Sequence, residues 1–258
     1  MPTIFWAGDS TVQYNSILTY PQCGIGQVMH LFLNPTVRIE NKAVNGRSTK
    51  SFIDQGRLED IANHISEGDF LFIQFAHNDE KITDSARYTE PFGSYSENLE
   101  KFVNVARDKG AYPVIITSIE RCCFDEQGKL GPGEHGEYIK AAVATAQRLD
   151  VPVVDLYSRS RKLLSDIGPA EARKLHVYVQ PGIYPKFPLG KDDHTHLNYH
   201  GAVLYASYIA EGLKKLGGVY ADILLDFKTY DEVVAEMREL GEEIVLAKED
   251  VSLPFEMK

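Results

Sequence analysis

Short apolar runs alternate along the chain with stretches whose apolar residues recur every three or four positions, as in parallel strands joined by crossover helices. Five runs read as strands: residues 3–7, 37–40, 70–75, 113–117 and 152–156. Their near-continuous Val, Ile, Leu and Phe content predicts cover on both faces, hence an α/β fold: a three-layer αβα sandwich with a five-stranded parallel sheet. Over 95–109, Leu99, Phe102, Val103 and Ala106 predict a helix, with Ser94 and Glu97 as a capping box and Gly110 just past its end. Similar stripes run through Tyr138, Ile139, Ala142, Val143, Ala146 and Leu149, and through Ala202, Val203, Ala206, Ile209, Ala210 and Leu213.

Residues 84–93 and 177–193 lack this order and read as long loops, which in a compact domain often carry function. After Gly217 and Gly218 the chain turns acidic, and Val233, Val234, Met237 and Leu240 recur at helical spacing. The expected division is therefore a main domain over 1–217 and an extension over 218–258. Its helix is expected to pack back on the domain, or on a partner subunit to give a homodimer.

Composition narrows the class. With 43% hydrophobic and 25% charged residues in 258, the chain is an ordinary globular protein rather than a disordered or fibrous one. A net charge of −10 repels polyanions, so nucleic acid is not an expected partner. No apolar run approaches a membrane span, so no membrane partner is expected either. Three cysteines, Cys23 and the adjacent Cys122 and Cys123, do not make a disulfide framework. With no basic and apolar leader at the start, the expected location is the cytoplasm. Cys122 and Cys123 are expected to be inert, and His30, His64, His135 and His176 are given no chemistry.

Candidate chemistry clusters at strand ends. The first strand runs into Gly8-Asp9-Ser10-Thr11, where Ser10 stands either as a nucleophile or as the cap of a following helix. The second leads to Asn41-Lys42-Ala43-Val44-Asn45-Gly46-Arg47-Ser48, where Gly46 leaves its N–H open to a ligand, or simply makes a turn. The third ends in Ala76-His77-Asn78-Asp79, where Asn78 donates an amide hydrogen or merely ends the strand. A later segment, Lys191-Asp192-Asp193-His194-Thr195-His196, sets a carboxylate three residues before an imidazole, which suits a general base. The same segment also offers Asp192, His194 and His196 at a metal-ligand spacing. Together the pieces supply nucleophile, base, orienter and oxyanion donors, the parts acyl transfer requires, and no metal or cofactor is called for.

These four blocks, in this order over roughly residues 3–215, resemble the SGNH (GDSL-type) hydrolases, and more closely the rhamnogalacturonan acetylesterases among them. The resemblance implies the flavodoxin-like SGNH hydrolase fold, with Ser10, Asp193 and His196 as catalytic triad. It also implies an oxyanion hole from the N–H groups of Ser10 and Gly46 and the Asn78 amide. Two residues depart from the pattern: Ala76 stands where glycine is usual, and Ile25 where tryptophan is common. No Gly-x-Ser-x-Gly elbow is present.

The expected substrate is an acetylated pectin-type oligosaccharide, deacetylated through an acyl-enzyme. Tyr88, Phe92, Tyr178, Tyr184 and Phe187 offer aromatic platforms, and Arg47, Lys81, Arg87 and Lys191 are the candidate substrate-binding cations, which suit uronate carboxylates. Other readings remain at this stage: an esterase for xylan-type sugars or short-chain esters, a metal-dependent hydrolase, a lipid or thioester hydrolase, and a non-catalytic sugar-binding module.

Overall fold

Alternate residues of the first strand face opposite layers. Ile4 and Trp6 enter one apolar cluster, Phe5 and Ala7 the other, and all four are buried. A computed structural model describes residues 1–133 and 135–239. Its sheet holds β1 (Thr3–Gly8), β2 (Arg38–Asn41), β3 (Phe70–Gln74), β4 (Tyr112–Ile116) and β5 (Val153–Val154), in the order β2-β1-β3-β4-β5. Every neighbouring pair is parallel. The helices are α1 (Ile25–Val28), α2 (Thr49–Asp54), α3 (Arg57–His64), α4 (Ser96–Asp108), α5 (Gly136–Leu149), α6 (Leu156–Arg173) and α7 (Tyr199–Leu216). Residues of α1, α6 and α7 share the cluster of Ile4 and Trp6, and residues of α2 to α5 that of Phe5 and Ala7, which completes the three layers.

This order decides where a ligand can sit. From β1 the chain crosses to β2 on one side and then returns to β3 on the other, so a crevice opens at the carboxyl end of β1. Gly8 must remain free of a side chain there, since a Cβ would come within 3.1 Å of the Gln74 carbonyl oxygen and of Val12.

Two expectations about local structure are corrected. Ser94 and Glu97 do not form a capping box: α4 starts later, at Ser96, after a wider turn over Pro91–Tyr95. The Ser94 hydroxyl instead accepts from the Glu90 N–H at 3.0 Å, because Gly93 breaks the helical path between Ser94 and the preceding residues. Gly110 does end the helix as expected, at φ +68 with its N–H on the Arg107 carbonyl. The second correction concerns 177–193, which is not one long loop. Its ends belong to an antiparallel hairpin of β6 (His176–Val179) and β7 (Lys191–Leu197), and the prolines and glycines crowd the connecting tip. A strand written Lys-Asp-Asp-His-Thr-His-Leu has no apolar alternation to betray it.

The described part of the extension lies on the main domain. It forms α8 (Gly218–Asp222) and α9 (Tyr230–Glu239). Ile223 and Leu224 are buried in the α7-side cluster, and the Tyr230 ring meets Tyr208 edge-on at 5.8 Å. The Tyr230 N–H donates to buried Glu211, which also pairs with Arg159 at 2.6 Å. Leu240 and the rest of the acidic segment lie outside the described residues. Among the described residues no helix is long and apolar enough to cross a membrane.

Candidate active site

Ser10 is presented by a turn. The Asp9 carboxylate accepts from both the N–H (2.9 Å) and the hydroxyl (2.8 Å) of Thr11, while its carbonyl accepts from the N–H groups of Val12 and Gln13. Complete burial of Asp9 pushes its carboxyl pKa upward against those bonds. The chain therefore reverses at the end of β1, and Ser10 caps no helix: turns follow it, and α1 begins only at Ile25. That return path is tight, since a Cβ on Gly24 would fall 2.1 Å from the Gln13 carbonyl oxygen. Ile25 is a fully buried core residue, so the departure from tryptophan is a packing detail. Ala76 is likewise buried, in the apolar cluster of Phe5 and Ala7.

The loops after β2 and β3 close on the same corner. The Val44 N–H donates to the Gly8 carbonyl at 3.1 Å, which seats the β2 loop against the end of β1. Gly46 follows at φ +75, a conformation that favours glycine. The Asn78 side chain donates to the Arg47 carbonyl at 3.1 Å and accepts from Arg87 Nη1 at 3.3 Å. Those two contacts fix which way round the amide lies and leave its second N–H unspent. Among the described residues, the N–H groups of Ser10 and Gly46 have no acceptor. Beneath them Asp79 is fully buried, accepting from the Thr49 N–H and hydroxyl and the Thr89 hydroxyl, and burial lifts its pKa to about 7.

The imidazole arrives on β7. Tyr178 pairs with Asp192 and His176 with Leu197, so two steps on β6 face five on β7. The surplus bulges out, and bulges of this kind re-aim side chains. Within it Asp193 Oδ1 accepts from the N–H groups of Thr195 (3.0 Å) and His196 (2.9 Å), and Oδ2 accepts from His196 Nδ1 at 2.8 Å. A carboxylate only accepts, so Nδ1 carries the proton and Nε2 is left to accept from the Ser10 hydroxyl, 2.9 Å away. Burial raises the Asp193 carboxyl, but bonds from His196 and Lys191 overcome it and hold the group well below the usual carboxylate range.

All five residues expected at the chemistry thus stand at one rim: Ser10, Gly46, Asn78, Asp193 and His196. The four expected cations divide. Arg47 and Arg87 border Asn78, and Lys81 is exposed beyond it. Lys191 pairs instead with Asp193 Oδ2 at 2.7 Å, because its place at the start of β7 points it at that carboxylate. His194 departs from His196: its Nδ1 contacts the Cys122 carbonyl at 3.0 Å. Among the described residues no three His, Cys, Asp or Glu side chains are grouped to hold a metal. Burial raises the Cys122 thiol to about 12.

A network that sequence reasoning missed holds β7 in place. Arg121, after β4, donates to the Thr195 hydroxyl at 2.5 Å and to Glu80 at 2.6 Å. The other Glu80 oxygen meets buried His135 Nδ1 at 2.6 Å, and His135 stacks edge-on against His77 with ring centroids 4.3 Å apart. The partners lie up to 74 positions apart, so no local pattern signals them.

A family model described as GDSL-like Lipase/Acylhydrolase matches residues 4–209. The chain belongs to that family. Among its relatives, the rhamnogalacturonan acetylesterase RhgT of Bacillus subtilis (strain 168) is 43% identical over 216 residues, covering 83% of this chain and 90% of the relative. A probable rhamnogalacturonan acetylesterase, YesY, of the same organism is 34% identical, over 83% of this chain and 93% of its own length. A crystal structure of the Bacillus subtilis protein YxiM superposes with TM-score 0.70 at 25% identity, covering 84% of this chain and 57% of that one. A similar fold is found in the crystal structure of Axe2, an acetylxylan esterase from Geobacillus stearothermophilus, at TM-score 0.58 and 14% identity, over 82% of this chain and 93% of that one.

Proposed function

We propose that the protein is a serine esterase that removes acetyl groups from pectin-type, rhamnogalacturonan oligosaccharides. The observation that carries the chemistry is the unbroken relay Ser10 Oγ, His196 Nε2, His196 Nδ1, Asp193 Oδ2, with contacts of 2.9 and 2.8 Å. The substrate class rests on the 43% identity to RhgT over most of both chains.

In this mechanism His196 takes the Ser10 proton as the oxygen attacks the ester carbonyl. The carbonyl oxygen becomes an oxyanion, held by the N–H groups of Ser10 and Gly46 and the second Asn78 amide hydrogen. His196 returns the proton to the departing sugar hydroxyl, leaving acetyl on Ser10. Water then repeats the sequence in the other direction, releasing acetate and restoring the hydroxyl. Asp193 holds the tautomer and faces the imidazolium that forms in each half. Residues 1–217 form the hydrolase domain and 218–258 its extension. That Cys23, Cys122 and Cys123 are thiols rather than disulfides fits a reducing cytoplasm, where oligosaccharides rather than polymer are the substrate.

The test is covalent. A serine-directed phosphonate should place one adduct on Ser10, and Ser10→Ala should lose both the adduct and acetate release. An adduct on another serine, or wild-type turnover by Ser10→Ala, overturns the assignment.

A further inference from the structure

The corner that holds Asn78 contains a cation with most of its hydrogen-bonding capacity unspent. Arg87 donates through Nε to Asp84 Oδ2 at 2.6 Å and through Nη1 to Asn78 Oδ1 at 3.3 Å. A guanidinium carries five N–H donors, so three remain, including both on Nη2, and no partner among the described residues takes them. The side chain is 30% exposed, open to a ligand yet sheltered from full hydration. A Cβ at Gly46 would lie 3.8 Å from Arg87 Nη1, so the guanidinium flanks the expected oxyanion site itself. The Arg47 carbonyl accepts from the same Asn78 amide, and the Arg47 guanidinium, with Nε on Gln55 and Nη1 on the Asn45 carbonyl, also has donors to spare.

Charge and shape together favour a carboxylate over a sugar hydroxyl here. A guanidinium is always charged and planar, and its paired N–H groups match the two oxygens of a carboxylate. Asp84 engages only the Nε, and both Nη2 hydrogens are without a partner among the described residues. On the other side of the site Lys191 is held by Asp193 at 2.7 Å, whereas on this side Asp84 holds Arg87 through Nε alone and the guanidinium keeps donors for a second anion.

We propose that Arg87 is a specificity-determining residue that binds a uronate carboxylate of the sugar chain bearing the acetyl ester, with Arg47 as second donor. The same guanidinium orients Asn78, so acid recognition and the oxyanion site share one side chain. Binding of the acidic residue draws on donors adjacent to the reacting carbonyl and positions the ester over Ser10. This proposal rests on the esterase reading above and extends it to the chemical basis of substrate choice.

The experiment compares acetate release from acetylated rhamnogalacturonan oligosaccharides with release from the same oligosaccharides after reduction of their carboxylates to alcohols. Wild type, Arg87→Gln and Arg87→Lys are assayed on both, and on p-nitrophenyl acetate, with thermal unfolding as a check on folding. The wild type should favour the acidic substrate in kcat/KM by about tenfold to a hundredfold, the usual worth of a charge-assisted hydrogen bond. In Arg87→Gln this ratio should fall toward one, and Arg87→Lys should keep part of it. Any loss that arises through Asn78 appears equally with both oligosaccharides and with p-nitrophenyl acetate, so the ratio isolates recognition. An equal ratio in wild type and Arg87→Gln overturns the carboxylate site and leaves the esterase standing. No acetate from either oligosaccharide, with p-nitrophenyl acetate still turned over, overturns the pectin reading and this proposal together.

Discussion

Replacing Asp193 by Asn tests the site most severely, because one carboxylate there serves four donors. Oδ1 accepts from the N–H groups of Thr195 and His196, and Oδ2 from His196 Nδ1 and Lys191 Nζ. An asparagine offers one acceptor side and one donor side. If its oxygen keeps the two backbone N–H groups, its NH₂ confronts Nδ1–H and the Lys191 ammonium. If it flips, the NH₂ confronts the backbone. The imidazole can relieve the first clash by moving its proton to Nε2, but that nitrogen can then no longer accept from Ser10. The expected loss is about 10⁴-fold in kcat, the scale seen when a triad histidine is held in the wrong tautomer. Initial rates on p-nitrophenyl acetate at pH 7 measure it, with thermal unfolding to confirm a folded protein. The pH sense follows from the depressed Asp193 pKa. Its contribution to stability is complete above the unfolded carboxylate value, about 4, and is lost as pH falls through the folded value. Asp193→Asn should therefore lose part of the wild type's stability at neutral pH. A variant within tenfold of wild type, labelled by phosphonate at the wild-type rate, would refute the relay.

Asn78→Ala removes one proposed oxyanion donor and should lower kcat by about 10²–10³-fold with KM little changed; a loss confined to KM would make Asn78 a binding residue only. Arg121→Met frees Thr195 and leaves Glu80 with His135 alone, so stability should fall by about 3 kcal/mol, the low end for a buried pair that loses one partner, and kcat should drop more than KM rises. Adding Glu80→Gln should recover stability but not kcat, whereas joint recovery would assign Arg121 a purely structural role. Burial lowers His176 to about 4, so its contribution is complete above pH 6.5 and lost as pH falls toward 4. Urea unfolding at pH 7 and 4.5 should differ by up to about 3 kcal/mol from this residue, and His176→Gln should narrow that gap. An unchanged gap would place the acid sensitivity elsewhere.

The sequence by itself determined the layering and which residues stand as candidates for the chemistry. Strands buried on both faces need apolar side chains at nearly every position, so Phe70 to Gln74 announces itself, whereas the edge strand Arg38–Asn41 is polar and half exposed and carries a weaker signal. Ser10, Gly46 and Asn78 lie in the loops that follow β1, β2 and β3, which brings them to one edge of the sheet once the strands are parallel. What neighbours across the fold impose was decided only by the tertiary structure. The hairpin strand bearing Asp193 and His196 is polar and bulged, and its strand character comes from pairing with His176–Val179 rather than from any pattern of its own. The diversion of Lys191 to Asp193 and the bracing of Thr195 by Arg121 and Glu80 depend on distances that exist only after folding. Periodicity reports which face a residue shows to the core. It cannot report which charge, dozens of positions away, will be waiting there.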